Sequence, residues 1–177
     1  MKTQDWKFED ARKFWLPEAR DRQGPWDSEP DKRQWTSESR WNGETGIPCL
    51  IVRNHFGALC GYVGVPKGHP WYGREYDDVE AQMVKDALTE DVEIPHGGLT
   101  FSGKCHGRVC HEVEPGEDED VWWLGFDCAH AFDIVPGFKH LDFGDSEYRN
   151  FDYVRVECEK LAAKAAMLTS VQNVQGA

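Results

Sequence analysis

The side chains in this sequence most suited to chemistry gather between His96 and Asp133. PHGGLTFSG sets His96 beside two glycines at a turn that leads into a short strand. CHGRVCH holds Cys105, His106, Cys110 and His111, two Cys-His pairs five residues apart. FDCAHAFD places Asp127, Cys128, His130 and Asp133 at the end of a strongly apolar run. Cysteine and neutral histidine suit Zn²⁺, and a mixed histidine–aspartate set suits Zn²⁺, Mn²⁺ or Fe²⁺. A catalytic metal needs about three protein ligands and one open position for water. His96, Asp127 and His130 are the expected ligands, with Asp133 orienting a ligand histidine or accepting a proton from the metal's water. No H-E-x-x-H pattern accompanies them.

Three other chemistries compete for the same stretch. Cys105, Cys110 and one or both of His106 and His111 form a candidate structural metal site, although the four-residue gap is looser than the usual knuckle. Cys128 is a candidate nucleophile, with His96 or His130 as base and Asp127 or Asp133 as orienting group. Upstream, His69, Trp71 and Tyr72 in KGHPWYG form a candidate pocket rim, where an aromatic wall beside a histidine would hold a planar ligand. Each has a plainer alternative: a solvated polar loop around Cys105, a buried thiol at Cys128, and aromatic cover for the core at Trp71. Cys158 is read as a core residue.

These groups need a scaffold, and the hydrophobic pattern supplies one. IPCLIVRN (47–54) and ALCGYVGV (58–65) read as paired strands around a turn at Asn54–Gly57, with Gly61 and Gly64 marking a bulge or a close backbone approach. Asp77 to about Leu88 carries a partial helical stripe, LTFSG (99–103) a short strand, and VWWLGFDC (121–128) a central strand. Phe151, Val154, Cys158, Leu161, Ala165 and Leu168 recur every three or four residues, which predicts a packed helix. The expected fold is α+β: a mainly antiparallel sheet with two principal helices on one face.

Residues 1–40 read differently. Their tryptophans at 6, 15, 26 and 35, with Trp41 just beyond, are too apolar to leave in water, yet prolines interrupt every periodic stretch beyond a short possible helix at Lys7–Trp15. An extended or partly helical arm (1–40) is therefore expected across a single α+β domain (41–177), or across a second copy of the chain.

Composition narrows the partners. The chain has 177 residues and a net charge of -12, and that excess of acid lies entirely after residue 40. Such a body repels a phosphate backbone, so direct nucleic-acid binding is disfavoured. No stretch has the apolar length of a membrane span or a signal peptide, which gives a cytoplasmic expectation with cysteines reduced or metal-bound.

GYVGVPKGHPWYG (61–73), HGGLTFSG (96–103), WWLGFDCAHAFD (122–133) and YRNFDYVRVECEKLA (148–162) together resemble a set of uncharacterised proteins encoded by bacteriophages and prophages. The resemblance implies an accessory protein of unassigned role working in a host cytoplasm. The family pattern often has glycine where this chain has Phe132, a change that would alter a turn or pocket edge. Two function classes follow. One is a small enzyme, with metal-assisted hydrolysis first and a cysteine-dependent hydrolase as the alternative. The other is a non-enzymatic acidic protein that binds or inhibits a host protein, through its negative face or its Trp-rich arm.

Overall fold

The computed structural model describes residues 1–43, 45–86, 94–116, 120–138 and 145–168. Six strands form one antiparallel sheet: β1 (Gln4–Trp6), β2 (Lys32–Trp41), β3 (Thr45–Arg53), β4 (Leu59–Pro66), β5 (Phe101–Gly103) and β6 (Val121–Asp127), in the spatial order β1-β2-β3-β4-β6-β5. Two α-helices, α1 (Tyr76–Asp86) and α2 (Phe151–Met167), complete the α+β architecture.

Strand alternation divides the interior in two. Ile47, Cys49 and Ile51 of β3, Leu59, Val63 and Val65 of β4, and Leu124 and Phe126 of β6 face the helices. There they meet Val79 and Met83 of α1 and Val154, Cys158, Leu161 and Ala165 of α2. Gly61 makes this contact close, since a Cβ there would lie 2.4 Å from the Phe126 ring and 2.6 Å from the Cys158 sulfur. The opposite face carries Leu50, Val52, Cys60, Tyr62, Val121 and Trp123. Among the described residues no helix packs there; Phe101 and Val109 do.

The β3–β4 turn falls at Asn54–Gly57 as expected, because the Asn54 carboxamide accepts from the backbone of Phe56 and Ala58. Helix α2 opens on an Asn150 cap whose side chain accepts from Tyr153 N at 2.9 Å. Helix α1 begins at Tyr76, one residue before the expected cap; its expected end at Leu88 lies outside the described residues.

The N-terminal boundary needs correction. Residues 32–41 form the longest strand, and β2 pairs with both β1 and β3. The arm is therefore about residues 1–31, and the short helix expected at Lys7–Trp15 is a series of turns. Trp15, Trp26, Trp35 and Trp41 are all buried within their own chain. One buried guanidinium fastens the arm. Arg53 pairs with Asp31 at 3.0 Å and Glu29 at 2.9 Å, and donates to Tyr148 Oη and Gly57 O. Glu29 in turn accepts from the first backbone amide of α2.

Candidate metal centre

Three segments meet beside the helical face of the sheet. The first is the turn 95–98, which approaches after α1. Gly97 and Gly98 both have positive φ, and Glu80 of α1 clamps the turn by accepting from Leu99 N at 2.6 Å. A Cβ at Gly97 would stand 2.3 Å from the His130 ring, so only glycine lets this turn close on that histidine. The second segment is the loop after β6, from Cys128 to Asp133. The third is the first turn of α2, which supplies Tyr153.

The meeting point is Asp133. Its carboxylate is almost wholly buried, at 1% side-chain exposure, and takes four hydrogen bonds or close contacts. His96 Nε2 lies 2.7 Å from Oδ2, the backbone N–H of His130 donates to the same oxygen at 3.0 Å, and Arg149 Nε donates to Oδ1 at 2.9 Å. His130 Nδ1 stands 3.7 Å from Oδ2. On the far side of the His96 ring, Nδ1 lies 2.8 Å from Tyr153 Oη. An ionised carboxylate only accepts, so in the neutral ring the proton sits on Nε2 and the tyrosine donates to Nδ1. Only if a metal ion took the place of the proton on Nε2 would the tautomer reverse, and the tyrosine would then accept from Nδ1–H.

One atom in this network is unsatisfied. His130 Nδ1 is buried and has no hydrogen-bond partner. Leaving a buried ring nitrogen unpaired costs about 1–3 kcal/mol, and that cost needs an explanation. The ligand atoms of His96, His130 and Asp133 lie within 4.8 Å of one another, and this is the one such group among the described residues. Two atoms bound to one zinc ion at about 2.0–2.1 Å and the tetrahedral angle stand about 3.3 Å apart. The observed 2.7 and 3.7 Å bracket that value. The cluster could therefore hold a metal with small side-chain adjustments. His130 is about one third exposed, so water can reach the fourth position.

The residues anticipated from sequence are distributed unevenly about this cluster. His96, His130 and Asp133 come together. Asp127 does not join them: its carboxylate accepts from Thr100 Oγ1 at 2.8 Å and Ala129 N at 3.0 Å, holding the end of β6 and its own turn. Asp133 stands beside the two histidines in the place expected of Asp127, because the turn after β6 brings it back toward His96. Cys128 is buried, and burial followed by the nearby Asp133 charge pushes its thiol up, the opposite of what a nucleophile needs.

Two further expectations are corrected. Cys105 and Cys110 are joined as a disulfide, so neither is a thiolate ligand, and they are not the reduced cysteines expected. His106 bridges by its backbone to Val109, and His111 sets its ring edge-on to Trp123. His69 and Trp71, expected at a pocket rim, lie inside the fold. Both are buried, with His69 Nε2 donating to Ala165 O at 2.9 Å and Nδ1 accepting from Trp71 N at 3.0 Å. Burial lowers the pKa of this ring, which acts as a peg between its loop and α2. Tyr72 turns to Asp120, 2.7 Å away.

Tyr153 and Arg149 were not anticipated at the site. Tyr153 sits in the predicted helix five residues before Cys158, on a polar edge that carries no sequence signal of its own.

Phe132, the position where the resembling proteins often carry glycine, has φ of +72° and is 52% exposed. Its carbonyl accepts from Glu147 N at 2.9 Å, and the chain must turn here for Asp133 to point inward.

No family model, no curated protein and no solved structure matches the chain. No helix among the described residues is long and apolar enough to cross a membrane.

Proposed function

We propose that this protein is a small metal-dependent hydrolase, an accessory protein of the phage type, with a divalent ion held by His96, His130 and Asp133. The observation that carries the reading is the buried, partnerless His130 Nδ1, set 3.7 Å from a buried carboxylate that already touches a second histidine. Two imidazoles, one carboxylate and an open position suit Zn²⁺, with Mn²⁺ or Fe²⁺ as the next candidates. When bound, such an ion lowers the pKa of a coordinated water toward neutrality, which is the basis of hydrolysis.

The chain's own groups have separable duties. With an ion bound, His96 would present Nε2 to it, and Tyr153 Oη would receive Nδ1–H on the other edge of the ring, fixing the tautomer. Arg149 holds Oδ1 of Asp133 so that Oδ2 is directed at both histidines. Gly97 permits the two histidine rings to approach, with centroids 5.4 Å apart.

Cobalt substitution tests the reading. Co²⁺ added to chelator-treated protein should give the intense visible absorption of a four-coordinate site, and His130→Ala should abolish it. The Co²⁺- or Zn²⁺-loaded protein should then cleave at least one of the p-nitrophenyl phosphodiester, ester and anilide probes. Weak octahedral absorption identical in the wild type and His130→Ala would contradict the proposal.

A further inference from the structure

On the sheet face opposite the helices, Val109 packs against the second cluster, and the segment that carries it is closed by the Cys105–Cys110 disulfide. Between the two cysteines, His106 and Val109 exchange backbone hydrogen bonds of 3.2 and 3.0 Å, making a tight loop. Its grip on the rest of the molecule is extensive. Lys32 Nζ donates to Cys110 O at 2.6 Å, and the Gln34 carboxamide both donates to Glu112 O at 2.9 Å and accepts from Glu112 N at 2.8 Å. Arg108 reaches the arm, 2.9 Å from Asp10 and 3.8 Å above the Phe8 ring. His111 covers Trp123 edge-on.

The closed cover leaves two groups worse off than in water. Trp123 Nε1 is buried with no acceptor. Lys32 is buried, with its ammonium 4.5 Å above the Trp6 ring, and burial depresses its pKa. Lifting the segment would relieve both penalties. Against it stand the covalent link, the hydrogen bonds of Lys32 and Gln34, and the contacts of Arg108 and His111.

We propose that the Cys105–Cys110 disulfide is a redox-sensitive clasp that holds the 105–112 segment on the second sheet face and, through Arg108, steadies the N-terminal arm. It is independent of the metal centre. A cellular dithiol reductant would open it: one reductant thiolate forms a mixed disulfide with Cys105 or Cys110, and the second then closes the reductant's own disulfide. Two electrons and two protons pass to the chain, leaving two cysteine thiols. Cys105 is exposed and accessible to that attack, whereas Cys49, Cys60, Cys128 and Cys158 are buried. The link spans only five residues, so its loss returns comparatively little entropy to the unfolded chain and should free the cover without unfolding the sheet.

Hydrogen exchange on the full chain tests this, comparing the oxidised protein, the same protein in dithiothreitol, and Cys105→Ser/Cys110→Ser. Exchange at Glu112 N should rise at least about tenfold in both open forms, while the β3–β4 amides stay protected, and reoxidation should restore the wild type. Thiol labelling of the native protein should rise by two groups on reduction. Equal exchange in all forms would overturn the proposal, as would six free thiols in air-oxidised protein. Loss of β3–β4 protection on reduction would also overturn it, because the link would then be a global staple.

Discussion

His96 Nε2 and the Asp133 carboxylate lie 2.7 Å apart although 37 residues separate them in the chain. Two turns produce this contact. The first needs Gly97 at positive φ, and the second needs Phe132 at positive φ. The proposed metal binding therefore depends on backbone geometry next to each ligand as much as on the ligands themselves.

Gly97→Ala tests the first turn. The substitution adds a Cβ where the His130 ring already stands and places it on a residue with φ of +68°. The expected cost is about 1–3 kcal/mol in urea unfolding, with metal affinity reduced at least about tenfold. Unchanged affinity would mean that His130 is free to move and that the turn does not position it.

Phe132→Gly tests the second turn in the opposite direction. A bulky residue with φ of +72° is strained by about 1–2 kcal/mol, and this side chain is half exposed. Glycine relieves the strain but adds freedom to the unfolded chain, so a net gain of about 0.5–1 kcal/mol is expected. A melting temperature below that of the wild type would show that the Phe132 ring contributes more than its backbone costs.

The buried His69 has a pH signature. Its folded pKa lies below the ordinary 6.5, so the unfolded chain takes up a proton that the folded chain refuses. Stability is then full above about pH 6.5 and declines as pH falls below it. His69→Gln should be less stable at neutral pH but should lose less between pH 7 and 5 than the wild type. Parallel stability–pH curves would remove His69 as the cause.

Arg53→Met should be the most damaging single change outside the core. It leaves the largely buried Glu29 and Asp31 without the guanidinium they share, and breaking such a pair costs about 3–5 kcal/mol. Because Glu29 also holds the start of α2, urea unfolding should show one earlier transition rather than separate loss of the arm. A loss under about 1 kcal/mol would show that water replaces the guanidinium there.

Much of the scaffold is legible from hydrophobic period alone. Helix α2 runs Phe151–Met167 with Phe151, Val154, Cys158, Leu161 and Ala165 buried as expected, while Leu168 is its half-buried C-cap; β3, β4 and β6 fall where their apolar runs lie, since both of their faces are covered. Strand β2 is hidden for the converse reason. Its buried positions include Lys32, Gln34 and Ser37, whose partners are backbone groups near Cys110 and the Glu159 carboxylate. No local pattern announces a polar strand satisfied by distant groups. The same limit applies at the candidate site. His96 and His130 stand out by residue type, but the choice between Asp127 and Asp133 depends on how a six-residue loop turns. A disulfide across CHGRVC is likewise a matter of loop geometry, not of spacing.

The most direct measurement is zinc content, by mass spectrometry of untagged protein purified without chelator and re-equilibrated with limiting Zn²⁺. The wild type and Asp127→Asn should retain close to one ion per chain. His96→Ala, His130→Ala and Asp133→Asn should each retain almost none while staying folded by circular dichroism. A wild type that binds no ion, or an ion kept by His130→Ala and Asp133→Asn but lost from Asp127→Asn, would contradict the account.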